Sequence, residues 1–239
     1  MSKIYEALES IELERTPKAA TVTPKPISLG LPDSLEEKLL AMYQRIETAI
    51  NLPRTPFVEF AGIGKGEGAS RLVYAFAKVA AARLKKRVLL VAGGRTPRIR
   101  AMFSGEDTDR WEDALRGGKF VDAVAQPPDE SLGQAVMLAG PGFSVQHILM
   151  SQQSESIIND LRERFDLVLI DAPPLGESSN ALLLTSIADG VVLVVEAGRT
   201  RWQVAKHAMD QVAQHQRQVL GVIINKRRFY IPEFIYRRL

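Results

Sequence analysis

The chain has 239 residues, 46% hydrophobic and 25% charged, which is enough apolar material for one sizeable globular core. It contains no cysteine, so disulfide frameworks, thiolate catalysis and cysteine-zinc sites are excluded. The net charge of +3 sits at one end: Lys226, Arg227, Arg228, Arg237 and Arg238 face a single acid, Glu233, and the rest of the chain carries 26 basic and 27 acidic residues. The basic pI therefore gives no argument for a nucleic-acid partner. No run of about 18 uncharged apolar residues is present, and residues 1–6 lack a signal-peptide apolar stretch, so a cytoplasmic location is expected. His147, His207 and His215 have no partner at metal-ligand spacing and read as surface or packing residues.

In chain order, Ile4, Leu8 and Ile11 mark a short amphipathic helix within residues 1–14. Residues 15–34, with Pro17, Pro24, Pro26 and Pro32, read as a flexible linker. A helix over 35–50 repeats Leu39, Met42, Tyr43, Ile46 and Ile50, and opens a domain running to about residue 228. Strands are predicted at 57–61, 87–92, 135–139, 167–171, 191–195 and 219–224, mostly as unbroken apolar runs suited to burial on both faces. Helices between them are predicted over 70–84 with Leu72, Phe76 and Val79 inward, and over 155–165 with Ile157, Ile158 and Leu161 inward. A further helix over 202–212 turns Trp202, Ala205, Met209 and Val212 inward. This alternation predicts an α/β fold of the P-loop NTPase-like, doubly wound type, its mostly parallel sheet flanked by helices. Residues 229–239 form a basic, aromatic tail containing Tyr230 and Tyr236.

Two stretches carry chemistry. The first predicted strand ends in Ala61-Gly62-Ile63-Gly64-Lys65-Gly66-Glu67-Gly68-Ala69-Ser70-Arg71, directly before a helix. Glycines let backbone N–H groups converge, and a helix N-terminus adds positive potential, so a phosphate fits there. In the pattern G-x-x-x-x-G-K-[ST], Gly68 and Ser70 match, Ala69 stands at the clamp lysine and Ile63 at the first glycine. Lys65 lies four residues early and cannot simply replace the lysine. On its own, the stretch is equally a glycine-rich turn that binds nothing. The second stretch, Phe165 to Pro174, is an apolar strand ending in Asp171, a Walker B arrangement that places a carboxylate where it can hold Mg²⁺. Alternatively, Asp171 only caps the turn.

Together these motifs resemble the cytoplasmic kinase module of bacterial tyrosine kinases, in particular the tyrosine autokinases of exosortase-type exopolysaccharide systems. The opening MSKIYEAL, Gly66-Glu67-Gly68, Phe165 to Pro174, Ala188 to Thr200, Leu220 to Asn225 and the ending from Arg228 all have counterparts there. The resemblance implies ATP and Mg²⁺ as cofactors. It places nucleotide on Gly64, Lys65, Gly66, Glu67, Gly68, Ala69, Ser70, Arg71 and Asn225, the last near adenine, and Mg²⁺ on Ser70 and Asp171, with Asp171 the residual catalytic group. It makes Tyr230 and Tyr236 phosphorylation candidates. The partners it implies are a membrane polysaccharide co-polymerase (chain-length determinant) or an active kinase paralogue, with self-association, and it implies a location peripheral to the inner membrane through the partner.

Departures from the family pattern shape the functional expectation. Ala92 and Gly94 occupy the places of two aspartates in the second acidic motif, and Ala41, Gln44 and Glu47 replace the E-x-x-R-x-x-R oligomer motif. With the clamp lysine absent too, the expected function is a regulatory or scaffolding pseudokinase with weak or no ATP binding. The alternatives are an active ATP-dependent tyrosine autokinase and, further off, a deviant-Walker partitioning or positioning ATPase.

Overall fold

The computed structural model describes residues 31–50, 55–92, 125–126, 136–139, 154–177 and 179–227. The expected N-terminal helix, most of the linker, His147, Gly94, Tyr230, Tyr236 and the tail lie outside these residues.

Within them, helix α1 (Asp33–Ile50) precedes β1 (Phe57–Gly62), α2 (Ala69–Leu84), β2 (Val88–Ala92), β3 (Ala125–Gln126) and β4 (Val136–Ala139). There follow α3 (Ser154–Arg164), β5 (Leu167–Ala172), α4 (Ser179–Ile187), β6 (Gly190–Glu196), α5 (Trp202–Gln214) and β7 (Gln218–Asn225). The seven strands form one sheet in the order β3-β4-β2-β5-β1-β6-β7. Only the short β3 runs antiparallel to its neighbour. The first strand is thus central, between β5 and β6, and the loop that follows it opens at the sheet's C-terminal edge. Open α/β sheets bind ligands at such edges.

Two apolar layers cover the sheet. On one face, α1 and α2 bury Leu39, Tyr43, Ile46, Val73, Phe76 and Ala80 against Val58, Phe60, Leu90 and Leu169. Their spacing is the helical i, i+3, i+4, i+7 stripe, and Phe76 packs against Phe60 with ring centroids 5.5 Å apart. On the other face, Ile157, Leu161, Ala181, Leu184, Ala205, Ala208 and Val212 pack on Phe57, Val168, Ile170, Val191 and Leu193. Each fully buried side chain of this size contributes roughly 1.5–3 kcal/mol, and β1, β5 and most of β6 are accordingly apolar apart from Glu59 and Asp171. At the opposite edge of β1 from the loop, Arg162 makes a two-pronged ion pair with Asp189, both bonds 3.1 Å, and stacks over the Phe57 ring.

Three expectations need correction. Trp202 shares the stripe of Ala205, Met209 and Val212 but is 67% exposed. It is the first residue of α5, and the helix contacts the sheet only from Ala205 onward. Leu72, Ile158 and Met209, expected inward, are only partly buried. The last strand is not covered on both faces: β7 closes the sheet's edge, and Val222 and Ile224 are exposed.

Glu59 was not anticipated at all. It lies in β1 beside Ile170 and Val191 with 0% exposure. The hydroxyl of nearby Thr185 donates to the Ala181 carbonyl, and neither Glu59 carboxylate oxygen has a hydrogen-bond partner among the described residues. Burial pushes this carboxyl up to about 8, with Thr185 offsetting little. A folded-state value above the ordinary one means that the folded protein holds the proton more tightly. The associated stability is full below about pH 4.5 and is lost as pH rises through about 8. Glu59→Gln is therefore expected to melt higher than the wild type at pH 8.5, by about 1–3 kcal/mol, and to match it near pH 5. Thermal unfolding across this pH range checks it.

Candidate functional site

The β1–α2 loop is built around one buried carboxylate. Glu67 is 4% exposed although it lies in a loop. Its Oε2 accepts the N–H of Ile63 at 2.6 Å and of Gly64 at 2.9 Å, and its Oε1 accepts the Thr200 hydroxyl. A buried charge needs such donors. The same loop is gripped from outside by the end of β7. Asn225 Nδ2 donates to the Glu67 carbonyl at 2.8 Å, and Lys226 Nζ donates to the Gly66 carbonyl at 2.6 Å. Lys226 also reaches Glu196, which in turn accepts from Arg199; the two cations, Lys226 first, hold the Glu196 carboxyl below its ordinary range. The loops after β1, β6 and β7 are thereby joined at one edge of the sheet.

Backbone conformation completes the loop. Gly66 and Gly68 have φ of +84° and +95°, which favour glycine. Gly68 is also approached so closely that an added Cβ would lie 2.4 Å from Asn225 Nδ2. Leu175 and Gly176, just beyond the β5 strand end, donate to the carbonyls of Gly62 and Ile63 at 2.9 and 3.1 Å. The Glu177 carboxylate accepts the Lys65 N–H at 3.2 Å. The N–H groups of Gly66, Glu67 and Gly68 have no acceptor among the described residues. With the first turn of α2, whose N–H groups lack intrahelical acceptors, they form a row of donors able to receive an anion.

Ser70 and Asp171 meet at the start of α2. The Ser70 hydroxyl donates to Asp171 Oδ1 at 2.9 Å. Asp171 is 1% exposed, and its Oδ2 has no partner among the described residues. Burial pushes this carboxyl up to about 7, against a smaller lowering by Ser70. A buried orphan oxygen beside a hydroxyl suits a divalent cation. Among the described residues no second carboxylate stands opposite; Ala92 is the register partner of Asp171 on β2. No group of three or more acidic or histidine side chains able to hold a metal occurs among the described residues. Ala69 is buried at the first position of α2, while Lys65 and Arg71 are exposed.

The structure thus brings Gly64, Gly66, Glu67, Gly68, Ser70, Asp171 and Asn225 together. It turns Glu67 inward as part of the loop's frame, and it commits the Asn225 amide to the loop and to the Lys226 N–H. Thr200, Glu177 and Lys226 were missed by the sequence reading. None of them carries a local signal, because each meets the loop from a distant part of the chain.

Sheet order, central first strand and glycine loop define a P-loop NTPase-like α/β protein. No protein-family model matches the chain. Among solved structures, the kinase domain of Escherichia coli tyrosine kinase ETK superposes with a TM-score of 0.66 at 18% identity, covering 82% of this chain and 79% of that one. Tyrosine-protein kinase YwqD of Bacillus subtilis is 28% identical over 164 residues, 68% of this chain and 69% of YwqD. Succinoglycan biosynthesis transport protein ExoP of Rhizobium meliloti is 29% identical over 164 residues, 67% of this chain but 21% of ExoP. The chain is thus similar in sequence to bacterial tyrosine-protein kinases.

Asp171 tests the electrostatics. Its folded-state value is raised, so its contribution to stability is present below about pH 3.8 and lost as pH rises through about 7. Asp171→Asn keeps an acceptor for Ser70 and removes the buried charge. It is expected to melt above the wild type at pH 8 by about 1–2 kcal/mol, with the difference vanishing near pH 4. Calorimetric melting at both pH values measures this.

Proposed function

We propose that this chain is a regulatory or scaffolding pseudokinase of exopolysaccharide biosynthesis, with weak or no binding of Mg·ATP. One observation carries the reading: the loop keeps its glycines, its frame and its open N–H donors, yet the charges that would act on a phosphate chain are missing. Ala69 stands at the clamp position, and Ala92 faces Asp171 where a second carboxylate would stand.

The residues fit the cofactor only in part. Amide donors and the first turn of α2 suit a phosphate, and Ser70 with Asp171 suits Mg²⁺, whose chemistry when bound is to neutralise charge on phosphoryl oxygens. The cation that spans the outer phosphates is absent from the loop. Phosphoryl transfer depends on positioning and charge stabilisation, and losing one such preorganised group typically costs about 10²–10³ in rate. No transfer step follows from this constellation.

The partner reading rests on ExoP, in which the matched region is about a fifth of a longer protein. We infer a membrane co-polymerase or an active kinase paralogue as the partner, which the similarity to a succinoglycan biosynthesis transport protein supports. Among the described residues no helix is long and apolar enough to cross a membrane; the proposed location is peripheral to the inner membrane through that partner. Tyr230 and Tyr236 remain proposed phosphate acceptors for such a paralogue.

Isothermal calorimetry of the full chain with Mg·ATP is expected to give little heat, with any Kd above about 100 µM, some two orders weaker than a low-micromolar site. Ala69→Lys alone is expected to give no phosphotyrosine on blotting, because the second carboxylate is still lacking. Low-micromolar binding by the wild type, or strong autophosphorylation by the single variant, would favour the active autokinase instead.

A further inference from the structure

The first three N–H groups of the loop are already occupied by carboxylates of this chain. Glu67 takes Ile63 and Gly64, and Glu177 takes Lys65 at 3.2 Å. The next three, on Gly66, Glu67 and Gly68, are open among the described residues. The two acids differ in kind. Glu67 is buried and frames the loop, whereas Glu177 is exposed and sits on the segment that Leu175 and Gly176 pin to Gly62 and Ile63. Its negative charge is therefore held beside the residue that adjoins the open donors.

We propose that Glu177 is a specificity-determining residue, an internal counter-ligand that disfavours a terminal phosphoryl group and biases the loop toward diphosphate over triphosphate. This rests on reading the loop as a weakened nucleotide site. An anion seated on the open donors and the first turn of α2 meets the positive end of the helix. Each further phosphoryl unit adds negative charge, and one running toward Lys65 meets the Glu177 carboxylate. Like charges a few ångströms apart at a protein surface repel appreciably, less so as salt screens them. Ala69 supplies no cation in place of the clamp lysine, so Lys65 is the one lysine within the loop that can offset this repulsion. The backbone of 175–177 is held by bonds to the carbonyls of Gly62, Ile63 and Pro174, and the Glu177 carboxylate itself accepts the Lys65 N–H.

The test is calorimetry of the full chain with Mg·ADP, Mg·ATP and pyrophosphate, for wild type, Glu177→Gln and Glu177→Asp. Glu177→Gln is expected to tighten Mg·ATP about fivefold or more while moving Mg·ADP less than twofold. Glu177→Asp, which keeps the charge, is expected to retain the wild-type preference. Equal shifts for both nucleotides, or none, would overturn the proposal. If wild type binds neither nucleotide measurably, Glu177→Gln must bring Mg·ATP into range, and failure to do so sinks the role of Glu177 while leaving the weak-binding reading intact. Tight Mg·ATP binding by wild type would sink that reading, and the ADP-to-ATP ratio of the variants would still judge Glu177. Because Glu177 is exposed, both variants should melt with the wild type; if Glu177→Gln does not, Glu177→Ala at matched stability replaces it.

Discussion

The buried carboxylate of Glu67 is the constraint on which this molecule's functional edge depends. A loop of glycines has many conformations, and fixing each residue costs roughly 1–2 kcal/mol of backbone entropy. Here that cost is met without a ligand. Glu67 collects two loop N–H groups and the Thr200 hydroxyl, while Asn225 and Lys226 hold the carbonyls of Glu67 and Gly66. Removing the carboxylate would leave the buried Ile63 N–H and the partly buried Gly64 N–H unpaired and release the β6–α5 turn from the loop. The sheet beneath sets the geometry: β1 lies between β5 and β6, so the three loops that exchange these bonds are neighbours by topology.

This arrangement separates two properties that usually travel together in a phosphate-binding loop. Shape resides in the glycines and the Glu67 frame, which are retained. Charge resides in the clamp position and the paired carboxylates, where alanines stand at 69 and 92. On the function proposed above, a binding role is the simplest use of a loop that has this shape without charges at positions 69 and 92. Asp171 illustrates the consequence. With no cation facing it among the described residues, its desolvation is offset only in part by Ser70, and burial pushes the carboxyl up to about 7.

Much of this was legible in the sequence. The strands β1, β2 and β5 announce themselves as apolar runs because both faces are buried, and the glycine cluster before a helix marks the loop. The α1 stripe of Leu39, Tyr43, Ile46 and Ile50 is equally plain. Other features were not legible, for physical reasons. Helix α4 reads Ser-Asn-Ala-Leu-Leu-Leu-Thr-Ser-Ile, apolar around its circumference, so periodicity could not distinguish it. Trp202 fits the stripe of its helix, but periodicity cannot say where a helix begins to touch the sheet. Glu59 sits in a strand whose every neighbour is apolar, and nothing local reveals an acid left inside. Glu67 carried a faint signal, an acid between two glycines, but its donors come from Ile63, Gly64 and Thr200, and only the fold shows that the last of these is adjacent.

Amide hydrogen exchange in the nucleotide-free protein tests the central claim most directly. If Glu67 frames the loop, the N–H groups of Ile63 and Gly64 are protected far beyond an unstructured peptide, and Glu67→Ala, which removes their acceptor, loses that protection while β1 and β5 keep theirs. Exchange of Ile63 and Gly64 at unstructured rates, with protection arising only on addition of Mg·ADP or Mg·ATP, would contradict the account.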